Sequence, residues 1–179
     1  MDYNTKSGGI CQMKLSSGWE QSVYVLLILS RLPENKSLNS LALAERLEVS
    51  HSYLKKIIKS LVNEGLIRSL PGKNGGFCLA TPLDTIDFYK IFIAVEGRSK
   101  IFDSQHLLKK FLGKEGNDAK RCAISESLDS IENNLISTLS AITLQQVATE
   151  TQKNYNLAAL DEWIEKNIDS AKYVRKNDI

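Results

Sequence analysis

VSHSYLKKIIKSLVNEGLIRSLPGKNGGFCLATP, residues 49–82, is the stretch on which the reading of the 179-residue chain turns. In its first half Leu54, Ile57, Ile58, Leu61 and Val62 recur three and four residues apart, which places them along one face of an α-helix. Ser50 stands where an N-cap is needed, and Gly65 where a helix closes on a left-handed residue. The other face carries Ser52, Lys55, Lys56, Lys59 and Asn63. One side predicts core and the other a ridge of lysines.

In the second half, LIRSLP and GFCLA read as two short strands around Gly72, Lys73, Asn74, Gly75 and Gly76, because apolar residues alternate and Asn-Gly-Gly accepts positive φ cheaply. Most such turns only close a hairpin. Here a tip without bulky side chains lets backbone approach a phosphate or enter a narrow groove, and Lys73 supplies the attraction. Net charge is only +2, but between residues 52 and 76 Lys55, Lys56, Lys59, Arg68 and Lys73 face the single acid Glu64, a net of +4 that leaves the remainder near −2. A charge run usually coats a solvated face; its placement on one helix and one hairpin points instead to a polyanion.

On the N-terminal side, Asn39 or Ser40 can cap a short helix with Leu41, Ala44 and Leu47 at helical spacing, about three residues before the lysine-faced helix. Two helices so joined form a helix-turn-helix, and the hairpin adds a wing. Residues 17–31 predict a further helix, with Trp19, Val23, Leu26 and Leu27 on one face and Val25, Ile28 and Leu29 round the back. It should be buried on most sides and end before Pro33. The first twelve residues, MDYNTKSGGICQ, lack periodicity and read as a flexible extension.

Beyond the wing, residues 84–96 predict a hydrophobic helix broken at Gly97, and a short helix follows around 105–112. Then Ile124, Leu128, Ile131, Leu135, Leu139 and Ile142 are spaced 4, 3, 4, 4 and 3 apart. That is a nearly continuous coiled-coil seam, roughly 27 Å long at 1.5 Å per residue. An ordinary amphipathic helix folded on its own core shows the same pattern, yet a winged unit of about seventy residues has little surface to cover it. Pairing with a second copy is therefore expected through Ile124, Leu128, Ile131, Leu135 and Leu139. Leu157, Leu160, Trp163, Ile164 and Ile168 form one more amphipathic pattern, free to dock on the dimer or reach a partner. The expected organisation is a flexible extension at 1–12, a winged helix-turn-helix at 13–97, a dimerisation region at 98–151 and a helical tail at 152–179. The fold class is mostly α with a small β-hairpin wing.

Several classes are set aside. The longest apolar run, Val23 to Leu29, is far short of the roughly 20 residues that span a bilayer, and the opening residues show no charged n-region, apolar h-region and small-residue cleavage site, so no signal peptide is expected. The expected location is the cytoplasm. Cys11, Cys78 and Cys122 are odd in number and widely spaced, against a disulfide framework or a zinc site. Two histidines, His51 and His106, and the absence of a nucleophile elbow, Walker loop or H-E-x-x-H pattern argue against an enzyme.

Taken in order, MKLSSGWEQSVYVLLIL, LAERLEVSHSYLKKIIKSLVNEGLIRS, PGKNGGFCLATP and FIAVEG resemble the BadM or Rrf-two type of bacterial winged-helix transcription regulators, which includes iron-sulfur and cysteine-metabolism regulators. The resemblance covers Met13 to about Gln146. It implies a homodimer with crossed long helices, to which the first helix contributes, with the basic helix in the major groove and the wing in the minor groove. Cluster-binding members carry three cysteines a few residues apart before the long helix, since iron-sulfur clusters take thiolate ligands from one compact loop. Between Gly97 and Ser125 this chain has only Cys122. No cofactor and no metal are expected. Because some relatives respond to oxidants, Cys122, after Lys120 and Arg121, is a candidate redox sensor; its bland alternative is a half-buried helix residue.

The expected function is a DNA-binding transcription regulator, a homodimeric repressor on a pseudo-palindromic site. Its DNA contacts would be His51, Ser52, Tyr53, Lys55, Lys56, Lys59, Lys73, Asn74 and Gly75. Partners are double-stranded DNA and a second copy, with a small-molecule effector or a protein as the source of a signal. The rival reading is a winged-helix module that binds and regulates a partner protein.

Overall fold

The computed structural model describes residues 16–71, 75–98, 107–113 and 122–169. The first helix, α1 (Ser17–Leu29), is apolar on most sides and is buried accordingly: Val23, Val25, Leu26, Ile28 and Leu29 all enter the core. Its one fully buried polar side chain, Ser22, donates to the Gly18 carbonyl at 2.7 Å, so that hydroxyl is paired within the helix. Ser30 caps the helix two residues short of the predicted end.

Asn39 starts α2 (Ser40–Arg46) by accepting from the Ala42 amide at 2.8 Å, which satisfies one of the otherwise orphaned amides of the first turn. Then α3 (His51–Asn63) buries Leu54, Ile57, Ile58 and Leu61, the predicted stripe. Gly65, at φ +69°, follows the C-cap and turns the chain into the hairpin. The strands β1 (Ile67–Leu70) and β2 (Gly76–Leu79) are antiparallel, with Arg68 opposite Cys78 and Leu70 opposite Gly76.

Leu38 extends this small sheet by exchanging backbone bonds with Phe77 at 3.2 and 2.8 Å. That pairing corrects the predicted role of Gly76. Its φ lies outside the left-handed region, and what it supplies is room: a Cβ there would sit 2.5 Å from the Leu38 carbonyl oxygen.

A 3₁₀ turn (Leu83–Thr85) leads into α4 (Phe88–Glu96), capped by the Asp87 carboxylate on the Lys90 amide. Phe88 meets Trp19 of α1 edge to face, centroids 4.9 Å apart, the favoured aromatic geometry. The short α5 (Leu108–Leu112) and the long α6 (Ala123–Ser140) follow. The predicted seam does not run through Ile142. Helix α6 ends at Ser140, the Ile142 carbonyl accepts from the Phe88 amide, and Thr143 pairs with Asp87, so residues 141–143 are stitched to the entrance of α4. Thr143 and Gln146 then form a reciprocal capping box that starts α7 (Leu144–Asn154), with Leu144 fully buried.

The last described helix, α8 (Ala158–Asp169), lies against its own chain. Ile164 joins the core, with Leu160, Trp163 and Ile168 packed on it. Arg46 lies over the Trp163 ring at 5.4 Å, and Arg31 grips the Asp161 carboxylate with two nitrogens at 2.5 and 2.6 Å. That bond holds the Asp161 carboxyl below its ordinary pKa. A carboxyl depressed in the folded state stabilises above its unfolded pKa of about 3.9, and the benefit is lost as pH falls through the folded value. Asp161 is 44% exposed, so solvent screening limits the effect: Asp161→Asn should cost about 0.5 kcal/mol at pH 7. Urea midpoints of the two proteins should converge in acid; an equal gap at pH 7 and pH 3 would remove the ion pair as the cause.

Candidate nucleic-acid interface

Burial of the apolar stripe of α3 dictates what its other face presents. Ser52, Tyr53, Lys55, Lys56, Lys59 and Asn63 are exposed, on the side away from Leu54, Ile57 and Leu61. Among the described residues none of the three lysines has a carboxylate partner. Unpaired ammonium groups along one helix face create a positive strip available to a polyanion.

The start of α3 is held from two sides. Ser50 occupies the N-cap without a side-chain bond to the helix; its Oγ lies 3.0 Å from Ser52 Oγ. Half-buried His51 places Nε2 3.0 Å from Ser40 Oγ at the start of α2, so its ring ties the two helices together as well as facing the surface. Tyr53, 37% exposed, has its hydroxyl against Gly18 of α1. Ser52 and the three lysines are thus the freest of the predicted contacts.

In the hairpin, exposed Arg68 stands on β1 with Nε 3.3 Å from the buried Cys78 sulfur. Arg68 belongs to the positive stretch read from sequence but not to the expected contacts, and its exposed position on β1 puts its charge on the surface of the hairpin. Gly75 is half-buried just before β2. Lys73 and Asn74 lie outside the described residues, as do Cys11, His106, Lys120 and Arg121.

Along α6 the seam residues divide. Ile124 is 70% exposed and Ile131 54%, Leu128 and Leu135 are half-buried, and Leu139 is buried by its own chain. The stretch open to a partner is therefore shorter than the spacing predicted. Cys122 is the N-cap of α6. Amides of Ser125 and Ile124, at the start of the helix, lower its thiol pKa; the basic neighbours named from sequence lie outside the described residues.

A family model described as "Iron-dependent Transcriptional regulator", Rrf2, matches residues 15–150. "Putative HTH-type transcriptional regulator YffB" of Lactococcus lactis subsp. lactis is 67% identical over 154 residues, covering 86% of this chain and 99% of its own length. "Putative HTH-type transcriptional regulator YwgB" of Bacillus subtilis is 40% identical over 156 residues, covering 87% of this chain and 97% of its own. Among solved structures, CymR, the global cysteine regulator of B. subtilis, superposes with a TM-score of 0.59 at 21% identity, over 78% of this chain and 99% of that one. IscR of T. potens gives the same TM-score at 19% identity, over 85% and 98%. At these identities the two structures show a shared fold.

Proposed function

The chain belongs to the Rrf2 family of transcriptional regulators, and from that premise we propose that it acts as a homodimeric repressor whose two α3 helices enter successive major grooves of a pseudo-palindromic promoter site. That it is a DNA-binding transcription regulator rather than an enzyme follows from the family. The observation that carries the rest is the two-sided α3, apolar and buried on one face, cationic and unpaired on the other.

The division of labour follows from chemistry. Lys55, Lys56 and Lys59, with Arg68 and Lys73 in the wing, neutralise phosphates and fix register. Ser52, near the helix start, faces the bases, where hydrogen bonds distinguish sequences, while Tyr53, its hydroxyl against Gly18 of α1, holds that turn in place beside them. His51 serves the interface by holding α3 to Ser40. Lys73, Asn74 and Gly75 form the wing tip in the minor groove.

The exposed apolar residues Ile124 and Ile131, with Leu128 and Leu135 beside them, support pairing of α6 with its copy. Two binding units held by one dimer gain the effective-concentration advantage of linked sites. Repression, a cytoplasmic location and a small effector, thiol event or partner protein as the signal complete the proposal. Cys122, with its lowered pKa, is the thiol proposed to sense an oxidant.

The family's iron dependence does not fit a thiolate-held cluster here. Such clusters need several cysteines from one loop; residues 97–125 contain Cys122 alone, and no group of three metal-binding side chains occurs among the described residues.

The proposal is tested by binding of the purified protein to a fluorescent duplex from its own upstream region at two salt concentrations. Steep salt dependence with retention over competitor DNA supports it, and no binding at low salt to that duplex or to random DNA would favour the protein-interaction reading. Ser52→Ala should shift preference at one base position by about tenfold, in line with roughly 1–3 kcal/mol per base contact, and leave the salt slope unchanged. An unaltered preference profile in a selection experiment would take Ser52 out of base reading.

A further inference from the structure

The C-terminal end of α4 reaches both ends of α3. At the first turn of α3, the Tyr53 hydroxyl borders Gly18 so closely that a Cβ there would lie 2.9 Å from it, and a Val95 methyl borders the same point at 3.3 Å. Next to Val95, Glu96 Oε1 accepts from the Ser16 amide at 3.1 Å and from Ser16 Oγ at 2.6 Å, fastening the start of α1. Gly97 then turns the chain at φ +89°, a region glycine enters without the penalty of a Cβ. Arg98 Nη2, immediately after it, donates to Glu64 Oε2 at 2.6 Å, and Glu64 is the C-cap of α3.

The pair is solvent-facing, with side-chain exposures of 73% for Arg98 and 28% for Glu64. Exposed ion pairs contribute little to stability, so its consequence lies in placement. Glu64 is the only acid between residues 52 and 76, and its carboxylate is turned to a cation belonging to the segment that goes on to α5 and α6. Covalently, the path from the helices outside the winged unit into that unit arrives at Arg98.

We propose that Arg98 and Glu64 are positioning residues for DNA recognition: Arg98, just after α4, sets the pose of α3 by holding its C-terminal end, while Val95 borders the point on α1 against which Tyr53 of the first turn of α3 packs. The inference rests on DNA binding by α3. Loss of the Arg98 contact would release one end of α3 and leave its lysines in place, lowering affinity for a specific site more than for DNA in general.

The test compares wild type, Arg98→Ala, Glu64→Gln and the double variant on two probes, a duplex selected by the wild-type protein from a random library and a scrambled duplex of equal length. Each single variant should lose on the order of tenfold on the selected duplex, and the double variant no more than either alone, as expected for two groups acting as one contact. Affinity for the scrambled duplex, the salt slope and the thermal midpoint should stay at wild-type values, and Arg98→Lys should recover part of the loss. Equal weakening on both probes with a shallower salt slope would make Arg98 a phosphate contact and overturn the proposal, as would tighter binding by Glu64→Gln or unchanged binding by both single variants. Failure of the wild type to bind either probe would instead strike the DNA-binding reading itself.

Discussion

Replacing Lys55, Lys56 and Lys59 together with alanine is expected to lower affinity for duplex DNA by on the order of a hundredfold at physiological salt, because each neutralised phosphate contributes about 0.9 to the slope of log affinity against log salt. Three lost contacts should flatten that slope by about 2.7 for each α3, or about 5.4 for the dimer. The loss should be nearly the same for a selected and a scrambled sequence, since phosphates carry no sequence information directly. Folding should be unaffected: all three side chains are exposed and none supports the core. Titrations at several salt concentrations with circular dichroism as a control read both quantities. A variant that keeps its slope would show that the ridge is only a solvated face.

The second large effect is structural. Gly76→Ala should destabilise the protein by about 3 kcal/mol, at the upper end of what overpacking costs. A Cβ would sit 2.5 Å from the Leu38 oxygen and 2.6 Å from its carbonyl carbon, and these are backbone atoms that cannot rotate away. Relief requires Leu38 to leave the sheet, breaking the Leu38–Phe77 bridge that anchors the hairpin to the loop before α2. Chemical denaturation should show a lower midpoint with the slope preserved. A midpoint within experimental error of wild type would mean that the bridge is dispensable.

The helix-turn-helix was legible because burial imposes a period. Leu54, Ile57, Ile58 and Leu61 repeat at helical spacing and are the residues buried, and the lysines between them are exposed as that period requires. The long helix that carries the seam was legible in kind but not in extent. Its spacing carries on to Ile142, yet a local signal competes with it: Thr143 followed by Gln146 is the capping box that starts a new helix. A period reports that a residue points inward without reporting whose interior it enters, so Leu139 could be assigned to a second copy although its own chain buries it.

Other features were illegible for a different reason. Arg31 and Asp161 lie 130 residues apart, and Arg98 and Glu64 lie 34 apart; no local spacing links such pairs. Gly76 could be read only as turn chemistry, because what excludes a side chain there is the backbone of Leu38, itself in the structure through long-range pairing. The tie from His51 to Ser40 is similarly invisible until two helices cross.

The most direct test of the central claim, that the exposed face of α3 meets DNA, is acylation footprinting of every lysine in the full-length protein, with and without duplex, read by mass spectrometry. Labelling of Lys55, Lys56 and Lys59 should fall severalfold on DNA, together with Lys73, while Lys110, Lys153 and Lys166 on α5, α7 and α8 react as before. Unchanged labelling of the three α3 lysines in a complex confirmed to contain DNA would place the interface elsewhere and contradict the claim.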